Sequence, residues 1–181
     1  MGLSKFFRRN PMERPATDLY AEIVRQSREP VFYEAAAVPD TVDGRFEMIS
    51  LHAFLVMRHL KGGGEDAQKL SQSLFDEMFA DMDQSLREIG IGDLSVGKHI
   101  KKMAKAFYGR VAAYEMALDG DGTESLVEAL VRNHYGTVEG VPDEAAIALA
   151  QYVREADQRL TEDGVSMLMA GQVNFGQFSA A

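Results

Sequence analysis

Along almost the whole of this 181-residue chain, apolar residues return every three or four positions, and no segment shows a convincing alternation of two. That spacing puts one apolar stripe on each of several α-helices and leaves nothing from which to build a sheet. The first stripe is Leu19, Tyr20, Ile23 and Val24, with Thr17 as the expected N-cap. Pro30, Pro39 and Asp43-Gly44 then mark a connection. Residues 45–60 are apolar nearly all round, the signature of a central buried helix, and Gly62-Gly63-Gly64 ends them. A third helix is expected over 66–89, stopped by Gly90 and Gly92. A fourth follows Ser95 and runs to the Asp119-Gly120-Asp121-Gly122 turn. A fifth starts behind Thr123 and a sixth near Pro142, while the residues from Gly164 onward show no clear period. The expectation is an all-α, single-domain bundle of about six helices. A basic head over residues 1–16, a helical body over 17–163 and an irregular tail over 164–181 make up the chain.

Charge and composition narrow the function. The chain contains no cysteine, so disulfide and thiolate chemistry are excluded. No apolar run approaches the roughly 20 residues that span a bilayer, and the start of the chain lacks a secretory-signal pattern. A cytoplasmic location is expected, with the option of peripheral attachment at the inner face of the cytoplasmic membrane. The net charge of −9 argues against wrapping nucleic acid with the whole body. It is unevenly placed: Lys5, Arg8, Arg9 and Arg14 against Glu13 leave residues 1–16 at +3 and the remainder at −12. In the head, Phe6 and Phe7 interleave with Lys5, Arg8 and Arg9, a composition suited to an interfacial anchor on anionic lipid. Lys98, Lys101, Lys102 and Lys105 recur at helical spacing and form a second basic stripe, fit to meet lipid headgroups, ribosomal RNA phosphate or an acidic partner, or to pair with the acidic third helix.

A search for catalytic or metal chemistry returns little. His52, His59, His99 and His134 are the only histidines, and none stands in a Glu-x-x-His or His-Glu-x-x-His pattern. The glycine runs lack the Lys-Ser or Lys-Thr of a phosphate loop. Asp76, Glu77, Asp81 and Asp83 read as a solvated acidic face. No metal and no cofactor is expected, and the chain reads as a non-enzyme.

Several ordered pieces carry more information. Asp81-Met82-Asp83-Gln84-Ser85-Leu86-Arg87-Glu88 is followed by Ile91-Gly92-Asp93-Leu94-Ser95-Val96-Gly97, Lys101-Lys102-Met103, Phe107-Tyr108-Gly109-Arg110 and Ala113-Tyr114-Glu115. Thr41-Val42-Asp43-Gly44-Arg45-Phe46, Leu51-His52-Ala53-Phe54-Leu55 and Ala129-Leu130-Val131-Arg132-Asn133 flank them. Across residues 40–160 this set resembles the bacterial branch of the ubiquinol–cytochrome c chaperone family. The resemblance implies an assembly chaperone that binds newly synthesised cytochrome b during the building of ubiquinol–cytochrome c reductase, respiratory complex III. It also implies, as further partners, the ribosome or a small partner protein.

Ten methionines and no tryptophan suit an adaptable apolar surface. Client contact is expected of Phe54, Phe79, Met82, Phe107, Tyr108 and Tyr114, with Gly109 allowing close approach of another helix. Arg87 and Arg110 are candidates for polar anchoring of client or partner. Two other readings stay open: a ribosome- or membrane-associated adaptor without cytochrome specificity, and a haem or small-ligand protein using His52 or His59.

Overall fold

A computed structural model describes residues 11–120, 125–136 and 143–179. Among them the chain forms eight helices and no strand: α1 (Glu13–Ser27), α2 (Val31–Glu34), α3 (Val42–Leu60), α4 (Gly64–Glu88), α5 (Asp93–Asp119), α6 (Leu126–His134), α7 (Asp143–Asp163) and α8 (Val165–Met169). Six of these are long helices, so the all-α bundle is as the periodicity predicts. The head residues Lys5, Phe6, Phe7, Arg8 and Arg9 lie outside the described residues, as do Thr123 and Pro142.

The central helix is α3, which touches α1, α4, α5, α6, α7 and α8. Its all-round apolar character is explained by that position: Met48, Leu51, Ala53, Leu55, Val56 and Leu60 are all fully buried. It begins at Val42, earlier than the Asp43-Gly44 pair suggests, because extended Thr41 caps it by accepting a hydrogen bond from Gly44 N. Gly44 belongs to the first turn, and only glycine fits there: a Cβ would lie 1.9 Å from Pro39 O. Helix α1 also starts early. Thr17 is inside it, bonding back to Glu13 O at 3.1 Å instead of capping.

Helices α4 and α5 form a long antiparallel hairpin. Its tight link rests on Gly90, whose φ of +89° lets Gly90 N reach Arg87 O and Ile91 N reach Leu86 O. These are the two bonds of a Schellman stop. The Phe75–Phe107 ring contact at 5.9 Å fixes the pairing register between the two helices. Helix α6 opens with a capping box between Ser125 and Glu128.

The aperiodic tail is packed against the bundle. After α8 it runs without regular structure, yet Phe175 and Phe178 are buried. Phe175 meets His52 edge-on at 4.8 Å, and Phe178 packs on Phe32 at 5.5 Å and Tyr152 at 6.0 Å. Offset and edge-on rings of this kind add to their burial energy, so the tail closes the end of the core.

Candidate functional site

Along the α4–α5 hairpin the stripes that face each other do not fill the space evenly. Near its middle, Phe75 packs on Phe79 at 4.6 Å, on Phe107 at 5.9 Å and on Tyr108 at 5.6 Å, the last nearly parallel. Toward the start of α4 the corresponding positions are Gln68, Ser71 and Gln72, short or polar residues that leave the opposite side of α5 uncovered. The result is a groove of about 420 Å³ among α3, α4 and α5. Phe54, Leu60 and Phe107, all buried, form its floor. Met57, Phe75 and Val111 make its walls, and Gln68, Gln72, Lys61, Glu115 and Tyr108 stand at its mouth. Tyr108 is 60% exposed, an unusual posture for a large aromatic in a sequence this well packed elsewhere.

The rim of the groove is polar and internally paired. Lys61 Nζ lies 2.8 Å from Glu115 Oε1. Arg58 bonds Asp119 at 2.6 Å and Asp157 at 3.0 Å, and His59 Nε2 lies 2.9 Å from the same Asp157 oxygen. Burial works to lower the Arg58 pKa, but the carboxylates of Asp119 and Asp157 outweigh it and the net shift is upward. An apolar floor with a paired polar rim has the layout of a surface that can cover an apolar side chain or helix. Among the described residues, no group of three or more His, Asp or Glu side chains stands close enough to hold a metal.

A second groove, of about 430 Å³, lies on the other side of α5, against α3 and α6. More charged residues line it, Glu47, Lys102, Arg110 and Arg132 among them. Arg110 forks onto Glu47, donating from Nε and Nη2 to the two carboxylate oxygens, while its guanidinium sits 5.8 Å over the Phe46 ring. Burial raises the Glu47 pKa, and the Arg110 bonds work against that rise. Here the interior has satisfied a buried charge with a buried partner, which occupies the groove's wall.

The sequence profile of the Ubiquinol-cytochrome C chaperone family matches residues 34–175, most of the chain. The chain belongs to the ubiquinol–cytochrome c chaperone family. The crystal structure of the Cbp3 homolog from Brucella abortus superimposes with a TM-score of 0.82 at 40% identity, covering 98% of each chain. The ubiquinol-cytochrome-c reductase complex assembly factor 1 of Xenopus laevis is 27% identical over 78% of this chain and 70% of its own length. The Mus musculus protein of the same name is 24% identical over 88% of this chain, which spans about half of that relative's length (54%).

Within this chaperone fold the residues expected at the client surface fall into two groups. Phe54, Phe79, Met82, Phe107 and Tyr114 are core residues, each no more than 8% exposed. Phe54 and Phe107 reach the groove floor from that position. Tyr108 and Gly109 lie on the outside of α5, and a Cβ on Gly109 would meet nothing within 4 Å, so no internal helix approaches it. Arg87 is held at the hairpin tip by Asp83, at 2.5 Å, and by Asp93. Arg110 faces inward to Glu47.

Lys98, Lys101, Lys102 and Lys105 are exposed and have no ion-pair partner among the described residues, so the acidic α4 does not pair with them. Instead Asp81 accepts from Tyr20 at 2.6 Å and Asp76 from Gln72 at 2.8 Å. The histidines offered to haem have partners already. His52 is fully buried, with Nδ1 2.8 Å from Met48 O and Nε2 2.8 Å from the Tyr152 hydroxyl, and His59 Nε2 is held by Asp157. Sequence reasoning missed Phe75 and Met57 as groove walls. Phe75 was visible on the α4 stripe, but nothing in the sequence tells which stripe residue borders a gap.

Proposed function

We propose that this chain is a non-catalytic assembly chaperone for ubiquinol–cytochrome c reductase that receives newly synthesised cytochrome b in the α3–α4–α5 groove. The observation that carries the reading is the aromatic groove itself: Phe75, Phe107 and Tyr108 stack around an open apolar trough on a protein of the assembly-factor family. An apolar transmembrane segment leaving synthesis needs a surface that covers it without committing it to one geometry. Tyr108, Phe75 and Met57 supply broad, adaptable contact, and the paired rim excludes competing charges. Phe79, Met82 and Tyr114 act from behind, holding the aromatic wall in place. No helix of the described residues is long and apolar enough to cross a membrane. In this reading the chaperone meets its client from the cytoplasmic face.

Purification of the tagged protein from detergent-solubilised membranes tests this. Cytochrome b is expected to co-purify with the wild type and to be reduced at least several-fold with Tyr108→Glu. Equal recovery with both proteins would remove the groove from the account, and no recovery with either would remove the client.

A further inference from the structure

From Tyr108 at the mouth of the groove, a line of side chains runs back along the outside of α5 to the tip of the hairpin. Between Leu94 and Ala113 the chain carries five cations and not one carboxylate, although the protein as a whole has a net charge of −9. Leu94, Lys98, Lys101, Lys105 and Tyr108 follow one another at steps of four and three, so they form a single line along α5. All five are exposed, Leu94 at 95% and Tyr108, which leans on Phe75, at 60%. Nothing among the described residues neutralises the lysines, since no described carboxylate lies within ion-pair distance of any of them. At the same end, Ile89 in the hairpin turn is 60% exposed. The carboxylate nearest in sequence to Leu94, Asp93, is taken up by Arg87, and Glu88 accepts from Gln84.

We propose that the tip of the α4–α5 hairpin and the outer line of α5 dock on an anionic lipid bilayer. Leu94 and Ile89 enter the boundary between headgroups and acyl chains, while the lysines lie over the anionic phosphates. The arrangement is that of an interfacial helix: apolar side chains at the leading edge, unpaired cations behind them, and enough length to follow the surface. From Leu94 to Tyr108 the line extends about 21 Å at the helical rise per residue. An RNA backbone would use the lysines but has no use for two aliphatic side chains held out at the tip, and that favours lipid. Docked in this way, α5 brings Tyr108 and the mouth of the groove beside the bilayer surface.

The absence of tryptophan provides the test. Full-length Leu94→Trp carries a single reporter, to be mixed with phosphatidylcholine vesicles containing 30% phosphatidylglycerol, and with pure phosphatidylcholine vesicles. The expected result is a blue-shifted emission with the anionic vesicles alone, quenched by lipids brominated along the acyl chain. In sedimentation of the otherwise unaltered full chain, replacing Lys98, Lys101 and Lys105 by Gln should weaken partitioning on the order of a hundredfold, since each basic residue near such a surface contributes on the order of fivefold.

Co-sedimentation of the Leu94→Trp protein with no change in its indole emission would overturn the proposal by placing contact elsewhere in the chain, as would unaltered binding of the triple variant. Loss of binding to total RNA in the triple variant, with no vesicle binding by the parent, would assign the stripe to phosphate of nucleic acid instead. No client is needed, so the outcome is independent of the chaperone reading.

Discussion

The Tyr152 hydroxyl lies 2.8 Å from His52 Nε2 in the buried core, and the groups on the other ring nitrogen decide which of the two donates. Nδ1 lies 2.8 Å from the Met48 carbonyl and 3.0 Å from the Ser27 hydroxyl; the carbonyl can only accept, so Nδ1 carries the hydrogen, Ser27 Oγ can share it as a second acceptor, and Nε2 is left to accept from Tyr152. Gln26 donates to the Tyr152 oxygen at 3.1 Å and to Gly176 O at 3.2 Å. The chain of bonds therefore ties α1, α3, α7 and the C-terminal tail together in the buried core. Tyr152→Phe leaves His52 Nε2 without a donor, and is expected to lower stability by about 1–3 kcal/mol in urea unfolding. An unchanged midpoint would show that the network contributes nothing.

The same burial makes stability depend on pH. Desolvation pushes the His52 pKa down to about 4, against an ordinary value of 6.5. Desolvation also pushes His134 down to about 3, aided by the nearby Arg110 charge. Both rings stay neutral in the folded protein while the unfolded chain takes up protons below about pH 6.5. Their contribution is complete above that value and is lost as pH falls, from about 6.5 to 4 for His52 and from about 6.5 to 3 for His134. The slope should reach about 1.4 kcal/mol per pH unit for each histidine. Urea midpoints measured from pH 7.5 to 4.5 check this. His134→Gln should flatten the decline, and an identical decline in that variant would contradict the assignment.

Arg110 and Glu47 are a largely buried pair joining α5 to α3, with side chains 17% and 7% exposed. Arg110→Leu strands the Glu47 carboxylate and should cost about 3 kcal/mol. Replacing both residues by Leu should recover most of that loss, because neither charge then needs solvation. A double variant as unstable as the single one would show that packing, not charge, is what Arg110 supplies.

Gly109 separates stability from function. It sits in the interior of an exposed helical stretch with open space where a Cβ would go, so Gly109→Ala should stabilise the fold by about 0.5–1 kcal/mol. If a client helix closes against this face, the same variant should capture less cytochrome b despite its greater stability. Thermal unfolding and client recovery measured on one preparation distinguish the two effects.

The helices were legible because their stripes are long and regular. Their starts were less so: Thr17 reads as a cap yet bonds back within α1, while α3 is capped by Thr41, which the sequence does not set apart. The tail carries no period, since Phe175 and Phe178 pack from an irregular run. At the site, the resemblance singled out Phe54, Phe107 and Tyr108, which do meet at one groove. The Arg110–Glu47 pair left no local trace, its members being 63 residues apart. The groove itself is a deficit of side-chain volume between two helices, which no single stripe can reveal.

The most direct measurement places a photo-crosslinking residue at Tyr108 in cells making cytochrome b, with Ile147, an exposed position on α7, as the control. The account predicts a cytochrome b adduct from position 108 and none from position 147. Adducts from 147 but not 108, or none from either, would contradict the groove as the place where the client is held.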